Sequence, residues 1–245
     1  MSDEVILHYE SLLAANYTWM TGVPFEVKVA EQRNLLEHLL GDLPRSGLAV
    51  DLGSGPGFQS IALADLGFAP VLAIDTSQTL LDELEQHRGG QAIQTALADL
   101  RNFSAHLGGQ KASAIVCMGD TLTHLPNLDS VAALFKDAYA ALEPGGSFVL
   151  TFRDLSAELT GVDRFIPVRS DADRIMTCFL EYGHESVTVH DLVHTRSGDG
   201  WTLKKSSYRK LRLAPAAVAS VLAGVGFTIA ANEPAGRMTA IVGRR

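Results

Sequence analysis

Three carboxylates and three glycines in the first half of the chain have the types and spacing to do chemistry. In Ala49-Val-Asp-Leu-Gly-Ser-Gly-Pro-Gly57 an apolar run ends in Asp51 and passes into the alternate glycines Gly53, Gly55 and Gly57, with Ser54 between the first two. Glycine removes side chains where a backbone must turn sharply and let a ligand come close. Asp75 ends a second apolar run, Val71-Leu-Ala-Ile-Asp75, with Thr76 next, and Asp99 follows a third in Ala96-Leu-Ala-Asp-Leu100. An acid closing the second strand can accept hydrogen bonds from both hydroxyls of a ribose, a role shared with NAD sites. One after the third strand suits an adenine amino group. The glycine spacing is G-x-G-x-G, with Phe58 where the dinucleotide fingerprint needs its third glycine, and no Gly-Lys-Ser/Thr is present to cradle a triphosphate. Together these residues predict a nucleoside ligand without phosphates, bound at the carboxyl ends of the strands.

The elements that must hold these residues alternate. Apolar runs at 48–52, 70–74, 92–97, 113–118 and 147–152 read as strands, and 57–66, 77–87 and 127–142 as helices, with the turn Glu143-Pro-Gly-Gly146 before the fifth strand. Short apolar strands separated by helices predict a parallel sheet covered on both faces. Ahead of them, Ile6, Tyr9, Leu13 and Tyr17 are spaced for one helix over 3–20, and 25–40 reads as a second helix ended by Gly41. After Phe152 the period changes to two over 174–182, 186–195 and 201–213, with Ser197-Gly-Asp-Gly200 as a hairpin turn, so a small antiparallel sheet is inserted there. A helix at 215–223 and a hairpin of strands at 227–232 and 238–243 close the chain.

Composition excludes several functions. The 245 residues are 47% hydrophobic, enough for a substantial core, and a net charge of −8 gives no general attraction to nucleic acid or anionic lipid. No apolar run approaches the roughly 18 residues needed to cross a bilayer, and the start, MSDEVILHYE, lacks a signal-peptide pattern, so no membrane partner and a cytoplasmic location are expected. Cys117 and Cys178, each within an apolar run, read as core residues, and no grouping of oxygen ligands calls for a metal.

VDLGSGPG, the acid of VLAIDTS, the ALADL element, the strand SAIVCMGD and the turn and strand LEPGGSFVLTF resemble, in this order, the motifs of class I S-adenosylmethionine-dependent methyltransferases. The resemblance covers about residues 48–152 and, through the last hairpin, the closing strands. It implies an α/β, Rossmann-like fold: a seven-stranded, mostly parallel sheet with an antiparallel last strand. The chain then divides into a helical cover at 1–45, a cofactor-binding core at 46–152, a β cover at 153–213 and a closing helix and hairpin at 214–245. The cofactor implied is S-adenosylmethionine, with S-adenosylhomocysteine as product. Asp51 and the Gly53, Ser54, Gly55 and Gly57 turn would hold its methionine part, Asp75 and Thr76 the ribose, Asp99 and Leu100 the adenine, and Met118, Gly119 and Asp120 its reactive side. The two covers are similar to those of small-molecule methyltransferases, including the glycine and sarcosine N-methyltransferase type.

Methyl transfer needs an acceptor lone pair held in line with the sulfonium methyl, away from water, and much of the rate can come from orientation alone. His124, in Met118-Gly-Asp-Thr-Leu-Thr-His-Leu125, is placed to act as a general base, or else is a loop histidine satisfied by backbone groups. Asp120 orients the cofactor side or caps the local turn. Arg153, and Arg209 on the strand face shared with Leu211 and Leu213, are candidates to bind an acceptor carboxylate, against the reading of solvated charges. Tyr9, Tyr17 and Trp19 either line the acceptor pocket or pack on the main domain. The expectation is methyl transfer to nitrogen or oxygen of a small molecule. An NAD(P)-dependent oxidoreductase is disfavoured by Phe58 and Asp99; a non-catalytic module, with the insert forming a homodimer or partner interface, would keep the same glycines and Asp75.

Overall fold

Residues 3–245 are described by a computed structural model. The cover is helical but broken. Helix α1 (Asp3–His8) passes through a π turn, Tyr9–Leu13, and a 3-10 turn, Ala14–Asn16, into the single turn of α2 (Tyr17–Met20). One straight helix was expected. Instead the segment meets two surfaces: Val5 packs with Cys178, Leu180 and Val187, Leu12 and Leu13 pack with Met176 and Val193, and Tyr9 and Tyr17 turn toward the glycine turn. A π turn shifts the phase of the side chains, which a continuous 3.6-residue period does not do.

Helix α3 (Phe25–Leu40) precedes β1 (Leu48–Leu52), α4 (Phe58–Asp65), β2 (Val71–Asp75), α5 (Gln78–His87) and β3 (Ile93–Leu97). A 3-10 helix (Leu100–His106), β4 (Ala112–Cys117), a 3-10 turn (Thr121–His124), α6 (Leu128–Ala141) and β5 (Leu142–Phe152) complete the core. β1 and β2 are buried along their whole length, as parallel strands covered on both faces must be. Pairing of β5 with β4 begins at Leu142 opposite Ala112 and resumes at Ser147 opposite Ala114, so Glu143-Pro-Gly-Gly146 bulges within the strand.

The insert is a four-stranded antiparallel sheet in the order β6 (Phe165–Ser170), β7 (Arg174–Tyr182), β8 (Ser186–Ser197), β9 (Gly200–Leu211). Strand β6 was not expected, because Phe-Ile-Pro-Val-Arg-Ser carries a proline and alternates only weakly; it is an edge strand, where a missing N–H is tolerated. α7 (Pro215–Val225) leads to the hairpin β10 (Thr228–Ala235) and β11 (Met238–Arg244). The main sheet runs β10-β11-β5-β4-β1-β2-β3, parallel from β3 to β5, with β11 antiparallel to β5.

One face of this sheet buries Phe103, Phe135, Leu222 and Phe227; the other buries Phe25, Leu36, Leu40 and Phe58. Cys117 and Cys178 are buried and unbridged. Among the described residues no helix is long and apolar enough to cross a membrane.

Candidate active site

The turn after β1 is fastened to β2. The N–H groups of Gly53 and Ser54 donate to the Ile74 carbonyl at 2.8 and 3.0 Å, and the Gly55 N–H donates to the Asp75 carboxylate at 2.8 Å. Both Gly53 (φ +74°) and Gly57 (φ +94°) lie in the left-handed region, and a Cβ at either would fall 2.3 Å from Thr121 Cγ2 or 2.1 Å from Leu84 Cδ1. Only glycine satisfies both conditions.

Asp75 ends β2, where its other oxygen accepts the Ser77 N–H at 2.9 Å. Its burial raises its pKa, against the backbone N–H bonds that favour the carboxylate. Asp51 is buried, with its carboxylate accepting the Ser60 hydroxyl at 2.6 Å, so it fastens α4 to β1. Burial pushes its pKa up to about 7.

Beside this turn lies a narrow cleft bordered by Gly53, Gly55, Asp75, Leu80, Thr121 and His124, and by Tyr9 and Tyr17 of the cover. Its free space is only about 20 Å³. A wider hollow of about 240 Å³, bordered by Ser104, Lys111 and Asp137, lies at the opposite ends of the strands and holds none of the predicted residues. The predicted residues gather at the narrower one.

His124 is buried, and its Nε2 is 3.2 Å from the Tyr9 hydroxyl, while its Nδ1 has no protein partner. Desolvation, then the Lys210 charge, lower its pKa to about 3, so the imidazole is neutral across ordinary pH. Burial likewise pushes Tyr17 up to about 12.

Asp120 lies between three elements. It accepts the Arg153 N–H at 3.2 Å and the Lys210 ammonium at 2.8 Å, and the Arg153 guanidinium approaches to 3.4 Å. Burial raises its pKa, but Lys210 and Arg153 outweigh this and hold it well below the usual carboxylate range. Gly119 donates to the Thr151 hydroxyl at 2.7 Å, and the Met118 side chain is in the core.

Several predicted residues stand elsewhere. Arg209 points outward on β9, with its side chain 69% exposed and 3.4 Å from Glu4. Its presumed companions Leu211 and Leu213 are buried against the main core, not on the inner face of the insert, so the face they share does not lead into the cleft. The inward cation is Lys210. Trp19 does not border the cleft: it donates to Asp171 at 2.5 Å and stacks under Arg169 and Arg174, pinning the cover to the insert. The Asp99 carboxylate caps the Leu100–His106 helix and is gripped by Arg101. Against the effect of burial, the hydrogen bonds from Arg101 lower its pKa to about 2. Leu100 buries its side chain in the core, leaving its backbone at the strand end.

Sequence reasoning also missed Thr121, His8, Asp191 and Tyr208. His8 Nε2 lies 3.1 Å from Asp191, both buried, and its ring stacks on Tyr208 at 4.1 Å; Tyr208 in turn meets His124 at 5.4 Å. Asp191 had a signal. It interrupts the inward apolar stripe Val187, Val189 and Val193, and an acid there needs a partner.

Residues 49–146 match the family described as methyltransferase domain. These residues are a methyltransferase domain, similar to those of class I S-adenosylmethionine-dependent methyltransferases. It is 31% identical over 106 residues to the glycine/sarcosine N-methyltransferase of Halorhodospira halochloris, a match covering 43% of this chain and 39% of that protein. The chain thus spans about two-fifths of that relative's length. Across nearly the whole chain, the fold is that of the CcbJ methyltransferase of Streptomyces caelestis (TM-score 0.76, 22% identity, 95% of both chains). It is also that of CalS10, an amino pentose methyltransferase of Micromonospora echinaspora (TM-score 0.73, 16% identity, 92% of this chain and 93% of that one).

The site suits the family's cofactor. Gly53 and Gly55 leave backbone uncovered, Asp75 closes β2 beside them, and the buried Ser54 hydroxyl has no protein partner.

Proposed function

We propose that this protein transfers a methyl group from S-adenosylmethionine to nitrogen or oxygen of a small molecule, leaving S-adenosylhomocysteine. The observation that carries this reading is a cleft that brings together the Gly53 and Gly55 backbone, Asp75 and His124, with Tyr9 and Tyr17 of the cover on its border. The bound cofactor supplies an electrophilic methyl on a sulfonium. Asp75 would accept its ribose hydroxyls, and the Gly53–Gly57 backbone would receive its amino-acid end.

Within the cleft, the chain's own work is to orient and to dry. Neutral His124 accepts or donates a hydrogen bond at Nδ1, aligning the acceptor, while Tyr9 fixes its ring through Nε2. A group held so far toward the neutral form is a poor store for a proton, so the acceptor has to enter uncharged and release its proton to water afterward. That favours nitrogen: an unprotonated amine is already a nucleophile, whereas a hydroxyl benefits from a stronger base. The name of the Halorhodospira relative, an N-methyltransferase, and that of CalS10, which acts on an amino pentose, support the same choice. Arg153 and Asp120, paired with each other and with Lys210, would border the acceptor side. We also propose the cytoplasm as the place of action, with neither nucleic acid nor membrane as partner.

Calorimetric titration with S-adenosylmethionine, S-adenosylhomocysteine and NAD tests the reading. Micromolar binding of the first two and none of NAD is expected, followed by turnover with a panel of small amines. Binding of NAD alone overturns it.

A further inference from the structure

The helical cover lies on a track that is mostly apolar. The inner face of the insert presents Met176, Cys178 and Leu180 on β7 and Val187, Val189 and Val193 on β8, all buried. The order along the cover follows the order along β8: Val5 joins Val187 and Val189, and Leu12 and Leu13 join Val193. Between them buried His8 meets buried Asp191, Nε2 to Oδ2, at 3.1 Å.

Stability does not account for this pair. Taking an imidazole and a carboxylate out of water is costly, and apolar side chains of similar volume at such places hold a structure as firmly or more so. The His8 Nδ1, buried with no protein partner, adds to the cost. What apolar contacts alone lack is register. Side chains on one face of a strand repeat about every 6.6 Å and a helix rises about 5.4 Å per turn, so a cover held only by Val5, Leu12 and Leu13 has a second docking about one row along. A polar pair inside an apolar contact selects one register, as a single polar residue does in a coiled-coil seam. Trp19 fixes the other end of the cover, but the π turn and the 3-10 turn lie between it and α1.

The register is felt at His124. Tyr9 directly follows His8, and its hydroxyl is 3.2 Å from His124 Nε2, a contact that a slip of one row would break. The His8 ring stacks on Tyr208, with 4.1 Å between centroids and 29° between planes, and Tyr208 meets the His124 ring at 5.4 Å. Tyr9 meets the same ring edge-on at 5.7 Å. Two aromatic neighbours of His124 are thus both set by His8.

We propose that His8 and Asp191 are positioning residues: their buried pair fixes the register of the cover on the insert, and so holds the Tyr9 hydroxyl and the Tyr208 ring against His124. This deepens the proposed reaction, in which His124 aligns the acceptor, and rests on that reading for its effect on turnover.

The test replaces the pair by apolar groups in the whole protein, His8→Leu with Asp191→Val, and follows the His124 ring by imidazole nitrogen NMR, with His124→Gln to assign its signals. Wild type should give one set of His124 signals. The double variant should melt within about 4 °C of wild type and bind S-adenosylhomocysteine as wild type does, yet show split or shifted His124 signals. Its kcat for an amine acceptor should fall about a hundredfold, the loss expected from a misplacement of about an ångström. Asp191→Asn, which keeps a hydrogen-bond partner for His8, should retain the single set and the turnover. One unshifted set in the double variant overturns the proposal. A double variant that melts far lower or does not fold also overturns it, because the pair would then be a stabilising tie. So does a disturbed His124 set in Asp191→Asn. A wild type that methylates no amine sinks the proposed reaction instead, and the ring signals still decide the register.

Discussion

The two ends of the cleft, where the proposed reaction would hold its cofactor and its acceptor, are built in different ways. At the cofactor end, Gly53, Gly55 and Asp75 belong to two neighbouring strands and their turns, joined by backbone hydrogen bonds that leave few ways to arrange them. At the acceptor end, Tyr9 and His124 are 115 residues apart in sequence and Asp120 and Lys210 are 90, and they meet only because three elements converge. A rigid, local cradle can be shared by many enzymes of one fold, while an end assembled from separate covers can change its acceptor without disturbing the cradle.

The sharpest way to break this contrast is at Gly57. A methyl there meets left-handed backbone and Leu84 together. Gly57→Ala should cost about 1–3 kcal/mol in strain and a similar amount in overpacking. Urea unfolding should show this loss, with a collapse of cofactor affinity; a normal midpoint would mean that the cradle is not rigid.

Next in size, Lys210→Met leaves Asp120 buried with only half-exposed Arg153 for company. A broken buried pair costs about 3 kcal/mol. The same denaturant series should show it, but S-adenosylhomocysteine affinity should fall much less than in Gly57→Ala. An equal fall would merge the two ends into one unit.

Asp75→Ala reverses that pattern. Loss of one hydrogen bond to a charged acceptor costs about 1.5–3 kcal/mol, or roughly tenfold to a hundredfold in dissociation constant. Calorimetry on a folded variant with undiminished affinity would remove Asp75 from the ribose.

The smallest effect is in pH. His124 titrates near 6.5 when unfolded and about 3 when folded, so below 6.5 the unfolded chain binds the extra proton and stability falls as pH falls. Asp51 works in the opposite sense: its folded pKa of about 7 gives stability at low pH that is lost as pH rises from about 4 to 7. Comparing wild type with His124→Gln isolates the first. Wild type should lose about 2 kcal/mol more than the variant between pH 6.5 and pH 5. Parallel curves would show that His124 is not held neutral.

The alternation of strands and helices, the glycine turn and Asp75 were legible in the amino-acid order, because each depends on a short segment whose period or turn chemistry is local. The inserted sheet was legible as a period of two, but not its edge strand β6, whose proline and exposed side chains blur that period. Which of two adjacent cations enters the site was not legible. Arg209 and Lys210 differ by one position, and a strand turns successive side chains to opposite faces, so the choice depends on how β9 pairs with β8 and where it leaves the sheet for the main core. The same holds for Trp19, drawn away to Asp171, and for the His8–Asp191 pair, whose members lie 183 residues apart. Local periodicity and turn chemistry thus specify the core and its cradle, whereas the acceptor end is set by the docking of two covers, a packing decision that no short stretch of sequence contains.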